Sequence, residues 1–437
     1  MKVLMLGWEF PPYISGGLGT ACYGLTQAMS QEGTEIVFVL PKPIQSEYSS
    51  HVKLASPMIA KNTEHQELSP YSVLENVTFQ QVNSILQPYQ TPQTYQTQRL
   101  ETHIKSQVRA KTGHTNHGIN MGLSDNYGDN LYQEVHRYAQ LAVAVSQEEE
   151  FDVIHAHDWM TYLAGIAVMQ CSGKPLVTHI HSTEYDRSGT NPNPFVQDIE
   201  RLGMESADHV IAVSQLTRDI VVDRYGIAPD KVSVVYNAID QKPGFMHTEH
   251  SSDKKHEKMV LFLGRITMQK GPEYFVEAAK KVLEEMDNVK FVMAGSGDMT
   301  HRMIEKAAAM GISHKVEFVG FLKGEAVNRI FKMADLFVMP SVSEPFGLVP
   351  LEALRNDVPV LISKQSGVAE ILTHALKVDF WDIQEMANKM LAVLKYPALQ
   401  KTLRQHGNHE VKRFAWRDSA QQCHEVYKSL MTTKLSV

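Results

Sequence analysis

A chain of 437 residues, 43% hydrophobic and 21% charged, is long enough for two ordinary domains and a large buried core. Its formal charge of -7 disfavours a broad nucleic-acid surface, and no stretch is long and apolar enough to cross a bilayer as a helix. The three cysteines, Cys22, Cys171 and Cys423, show neither metal-ligand spacing nor a disulfide framework, so a soluble protein of a reducing cytoplasm is expected, with peripheral membrane contact left open.

The opening "KVLMLGW" reads as a buried parallel strand, and its apolar run is too short for the core of a signal peptide. "TACYGLTQAMSQEG" follows as a helix stopped at Gly33, and "TEIVFVLPK" as the next strand. From about 44 to 129 the rhythm breaks into a Gln- and Thr-rich insertion with weak hydrophobic patterning. "NLYQEVHRYAQLAVAVSQ" restores order, with Leu131, Val135, Tyr138, Ala142 and Val145 on one helical face. "FDVIHAH", "PLVTHIH", "HVIAVS" and "KVSVVYN" are further short strands. The polar run 247–258 reads as an interdomain linker. The alternation then restarts with "MVLFLGR", "VKFVMAGSG", "VEFVGFL", "LFVMPS" and "VPVLIS", helices lying between them. Short apolar strands separated by helices indicate parallel sheets covered on both faces, hence two doubly wound α/β halves. Ligands of such folds lie beyond the carboxyl ends of the strands, so in a two-domain version they are expected in the cleft between domains.

Four segments carry candidate chemistry. In "PPYISGGLGT", Gly16 and Gly17 open a helix. They serve either a tight turn or the approach of backbone N–H groups to an anion, without dinucleotide-fingerprint spacing. In "HAHDWM", His155 and His157 point to the same side of a strand end, as structural histidines or as cleft residues, and no further ligands at metal-site spacing accompany them. In "GRITMQKGPEYF", Arg265 and Lys270 lie between a strand and a helix, as surface cations or as a diphosphate clamp. In "SEPFGLVPLE", Glu344 precedes a helix expected to begin near Gly347, and Glu352 lies in its second turn. Those carboxylates either favour the helix N-terminus or accept pairs of sugar hydroxyls.

Taken together, these segments resemble the family-four retaining glycosyltransferases of the GT-B fold, which include glycogen synthase relatives. The resemblance covers nearly the whole chain except the insertion. Its most specific part is the E-x7-E pattern of Glu344 and Glu352, and "FAWRDSAQQCHEVY" looks like the family's closing helix. It implies two Rossmann-like domains facing a cleft. Residues 1–245 would form the acceptor side, 259–413 would bind the nucleotide sugar, and 414–437 would cross back to the first domain.

The resemblance also implies roles. Glu352 would hold ribose hydroxyls and Glu344 the donor sugar, with Phe346, Gly347 and Leu348 offering backbone amides. Arg265 and Lys270 would hold the diphosphate, Gly16 and Gly17 would approach it, and His157 would line the reacting sugar's pocket. His181, in "HSTEYDRSG", falls on the acceptor side. The implied reaction moves a hexosyl unit, glucosyl as the first choice, from UDP- or ADP-glucose to an acceptor such as an α-glucan, with no metal or cofactor. The alternatives are a non-catalytic sugar-nucleotide-binding regulator and a nucleotide-sugar epimerase of the same fold. Two departures stand out. Asp357 occupies a turn where the family often has Gly, and "PPYISGG" lacks the lysine of bacterial glycogen synthases.

Overall fold

Fourteen strands, each a run of three to six residues, build two parallel sheets in the computed structural model, which describes residues 1–11, 16–41, 53–55, 77–81, 131–240 and 257–434. The first sheet holds β1 (Lys2–Leu6), β2 (Glu35–Leu40), β3 (Lys53–Ala55), β4 (Val77–Gln81), β5 (Val153–His157), β6 (Leu176–Ile180), β7 (His209–Ala212) and β8 (Val232–Val234). Their order is β3-β4-β2-β1-β5-β6-β7-β8. The second holds β9 (Lys258–Leu263), β10 (Val289–Ala294), β11 (Val316–Gly320), β12 (Leu336–Met339), β13 (Val360–Ser363) and β14 (Leu376–Val378), ordered β11-β10-β9-β12-β13-β14. The apolar runs read as strands are strands. β14 and the two short strands β3 and β4, inside the stretch read as a weakly patterned insertion, are additions. The remainder of that insertion and most of the polar run 247–258 lie outside the described residues.

Alternation along each strand of the second sheet feeds two cores. Val260, Phe262, Phe291, Met293, Leu336 and Val338 pack with Phe275 and Val276 of the helix Pro272–Leu283. Their neighbours Met259, Leu261, Val292, Phe337 and Met339 pack on the other face with Leu351 and Leu354 of the helix Leu348–Arg355. In the first sheet, the helix Leu131–Glu148 buries Val135, Tyr138, Ala142 and Val145, the face read from the sequence. The Tyr138 hydroxyl donates to the Val39 carbonyl at 3.0 Å, satisfying a polar group that burial would otherwise penalise.

By contacts the chain divides into two compact units. The first comprises Met1–His179, Asp198–Val210 and Val426–Val437, and the second comprises Ile180–Gln197 and Ile211–Glu425. Among the described residues, no helix is long and apolar enough to cross a membrane.

Candidate active site

Strand order turns around between β1 and β5 in the first sheet and between β9 and β12 in the second. At such a switch point the following loops diverge and leave a crevice at the carboxyl ends. The candidate residues follow these four strands. In the first unit, β1 leads toward Gly16 and Gly17, and β5 ends at His157. In the second, β9 leads to Arg265 and Lys270, and β12 leads to Glu344.

The second unit brings its candidates together. Lys270 Nζ lies 2.5 Å from Glu344 Oε2, although 74 residues separate them. The pair is largely shielded, with side chains 20% and 10% exposed, so their attraction is less screened than that of a surface pair. Both loops are fixed by backbone bonds. Val342 N donates to Gln269 O at 2.9 Å, tying one loop to the other. Glu344 N donates to Gln365 O, and Glu344 O accepts from Gly367 N, each at 2.9 Å. Ser341 Oγ reaches Glu344 Oε2 at 3.3 Å, and Arg265 Nη2 donates to Gln269 Oε1 at 3.3 Å. Gly271, just past Lys270, has φ +66°, and a Cβ there would lie 2.0 Å from the Pro340 carbonyl oxygen. Only glycine permits this close approach of the two loops.

The helix expected near Gly347 runs over Leu348–Arg355 with Gly347 as its N-cap. Gly347 has φ +103°, and a Cβ would meet Glu344, Met339 and Val368 at 3.2 Å each. Phe346 is buried, and its carbonyl accepts from Val368 N at 2.7 Å, so this helix start is held rigidly. Glu352 lies in the second turn, partly buried. Burial raises its carboxyl above the usual range, opposed by the nearby Arg355 cation. Asp357, at the turn where the resembled family often has Gly, takes a left-handed conformation with φ +58°.

In the first unit, Gly16 caps the helix Gly17–Gln31 in an extended conformation. Residues 12–15 lie outside the described residues. His157 is fully buried and stacks on His155 at 4.3 Å. His155 spends both ring nitrogens, one on His179 Nδ1 at 3.1 Å and the other on the Tyr427 hydroxyl. His179, 24 residues from His155, thus completes a cluster of three buried histidines that sequence spacing did not indicate. Desolvation lowers the His157 pKa to about 3, so the ring is neutral at ordinary pH. The next residue, Asp158, adopts φ +60° and ψ +166°, a conformation that costs a non-glycine residue of order 1–3 kcal/mol. Such strain clusters at active sites and ligand clamps.

His181 is buried and groups with the second unit, as does the rest of "HSTEYDRSG". This segment contains a residue that sequence reasoning missed. Asp186, 2% exposed, accepts hydrogen bonds from Thr183 N and Thr183 Oγ1 at 2.7 Å each and from Ser343 Oγ at 2.5 Å. The bond from Thr183 N, with the reciprocal bond from Asp186 N to Thr183 Oγ1 at 3.3 Å, forms a capping box, whose T-x-x-D spacing is legible in the sequence. The bond to Ser343 is not, because 157 residues intervene.

Two family models match the chain: "Glycosyltransferase Family 4" over residues 136–243 and "Glycosyl transferases group 1" over residues 247–410. An uncharacterized glycosyltransferase of Methanocaldococcus jannaschii is 31% identical over 86% of this chain and 83% of its own length. A glycogen synthase of Mycobacterium tuberculosis is 25% identical over 98% of this chain and 94% of its own. In fold, the Anabaena protein HepE, solved in complex with UDP and glucose, matches with a TM-score of 0.66 at 18% identity over 98% of this chain and all of its own. With its paired doubly wound sheets, its E-x7-E helix start and these matches, the chain belongs to the family-4, group-1 glycosyltransferases of the GT-B fold.

Proposed function

We propose that this glycosyltransferase moves a hexosyl unit, preferentially glucosyl, from a nucleoside-diphosphate sugar such as UDP- or ADP-glucose to a saccharide acceptor of the α-glucan type, with retention at the anomeric carbon. The observation that carries the reading is the Lys270–Glu344 pair at the switch point of the second sheet, beside the helix start at Gly347. The UDP and glucose held by the Anabaena protein and the glycogen synthase relative support the donor and acceptor classes.

The slow event is cleavage of the bond between the anomeric carbon and the diphosphate oxygen. Negative charge gathers on that oxygen as it leaves. Lys270, as a compact point charge, and Arg265, as a planar fork, are placed to stabilise it, and the backbone N–H groups of Gly347 and Leu348 add to this without reorganising. Glu344 orients Lys270 and accepts hydroxyl hydrogen bonds from the donor sugar. Glu352 accepts the ribose hydroxyls. For His157, which is neutral, and for Gly16 and Gly17, the roles at the sugar and the diphosphate rest on the family resemblance. In a front-face displacement, the acceptor oxygen bonds to the anomeric carbon on the side the leaving group vacates. The acceptor proton passes to the departing phosphate oxygen, so the products are the glycoside and a protonated nucleoside diphosphate. Such a reaction requires no cofactor beyond the donor, and a cytoplasmic enzyme would meet both substrates.

The test is turnover of a panel of nucleotide sugars with maltooligosaccharide acceptors, with product mass and anomeric configuration measured. A transferred hexose with retained configuration is expected. Product of inverted configuration, or epimerised donor without transfer, would overturn the reading.

A further inference from the structure

Large aromatic side chains usually bury most of their surface, yet Trp381 is 58% exposed. It is the end of a row. Phe380 meets Trp381 edge-on at 4.8 Å, and Tyr274 meets Phe380 edge-on at 5.1 Å. Phe380 and Trp381 follow β14 after Asp379, and Tyr274 lies in the first turn of the helix after β9. The row therefore stands at the carboxyl end of the second sheet, the end that carries Lys270 and Glu344.

A groove of about 130 Å³ adjoins the inner two rings of the row and is lined among others by Met268, Glu273, Tyr274, Val342 and Phe380, while Trp381 stands beyond its lining as the exposed end. Its walls are the loops of the clamp, since Met268 is two residues before Lys270 and Val342 two before Glu344. The volume is below the roughly 300 Å³ of a site that encloses a small ligand, so an occupant would lie along the groove and over the rings.

We infer that this row is a subsite for a saccharide chain, resting on the glycosyl-transfer reading above. A pyranose ring has an apolar C–H face and a rim of hydroxyls. The C–H face matches an exposed aromatic ring, and the rim matches carboxylates beside it. Glu273 and Asp379 supply those carboxylates. Glu273 is held by Arg302 at 2.5 Å, and Asp379 by Lys364 at 2.7 Å and Gln365 at 3.0 Å. Each pairing leaves acceptor positions for hydroxyls and fixes the carboxylate in place. The subsite would hold acceptor residues several sugars away from the one that reacts, keeping a chain in place between transfers.

The test uses the full-length protein without donor. The protein migrates through native gels containing glycogen, dextran or mannan. Retardation by at least one polysaccharide is expected, with apparent affinity about tenfold weaker in Trp381→Ala and partly restored in Trp381→Phe. Donor hydrolysis without acceptor should be the same in all three proteins, which also shows that the variants fold. No retardation of the parent protein, or equal retardation of Trp381→Ala, would overturn the inference. So would loss by Trp381→Ala of binding to phosphatidylglycerol vesicles with no change in the gels. The gels contain no nucleotide sugar, so their result is independent of the transfer reading. A protein retarded in the gel but inert toward every donor would keep the subsite and sink the transferase chemistry proposed here.

Discussion

The hydroxyl of Ser343 donates to Asp186 at 2.5 Å, one residue before Glu344, whose carboxylate meets Lys270. A buried carboxylate on the "HSTEYDRSG" segment thereby positions the loop that carries the candidate donor-sugar residue. Asp186 is a positioning residue, since it acts through Ser343. Ser343→Ala and Asp186→Asn should each lower kcat by about ten- to a hundredfold, the range for losing a hydrogen bond to a charged group. The double variant should be little worse than either single one, because both remove the same bond. Strictly additive losses would show that the two residues act separately.

Lys270→Ala removes positive charge from the leaving-group side and leaves Glu344 shielded and without its cation. Turnover is expected to fall about 10²–10³-fold, as for loss of one preorganised oxyanion donor, with the unfolding midpoint lowered because Glu344 loses its partner. Glu344→Gln should raise the KM for the donor and lower kcat as well. Near-parental turnover in Lys270→Ala would remove the pair from the chemistry.

Glu352 offers a pH signature. Burial raises its pKa, so the folded state holds its proton more tightly than the unfolded chain does. The stability this contributes is present at low pH and lost as pH rises through the raised value. Glu352→Gln should therefore stabilise the protein at neutral pH while weakening nucleoside-diphosphate binding, measured by calorimetry. Affinity of the parent should decline as pH falls through the raised value, and the variant should lack that step. Unchanged affinity would leave Glu352 as a helix residue only.

His157 works in the opposite direction. Its folded pKa of about 3 lies below the ordinary 6.5, so the unfolded chain takes up a proton that the folded protein refuses. The stabilisation is present above pH 6.5 and is lost as pH falls toward 3, at up to ~1.4 kcal/mol per pH unit. Denaturant titrations between pH 7 and 4 should show a shallower pH slope for His157→Phe, which keeps a flat ring in the stack. Equal slopes would mean that His157 is not desolvated.

At Asp357 the backbone is left-handed. Asp357→Gly should leave stability unchanged or raise it slightly, and Asp357→Val should cost about 1–2 kcal/mol, since a β-branched residue is strained there. Equal midpoints for both variants in thermal melts would contradict this.

The sequence by itself determined what a few neighbouring residues control. Apolar runs bounded by turns set the long buried strands, one helical face set Val135 through Val145, and the helix expected to begin near Gly347 starts there. The turn at Asp357 was legible through the family resemblance, where Gly is frequent, and Asp tolerates its left-handed backbone better than most residues. The three-residue strands β3 and β14 were not readable, since neither sits in a run as apolar as the "KVSVVYN" that announced the equally short β8, and each is a strand because a neighbour supplies its hydrogen bonds. Tertiary structure alone decided that His155 meets His179 and Tyr427, that Lys270 meets Glu344, and that Asp186 holds Ser343. Those partners are 24 to 272 residues apart, and a hydrogen bond leaves no trace in local propensity. Within the second sheet, the adjacency of β9 and β12 brings the loops of Lys270 and Glu344 together, a neighbourhood that local sequence does not encode.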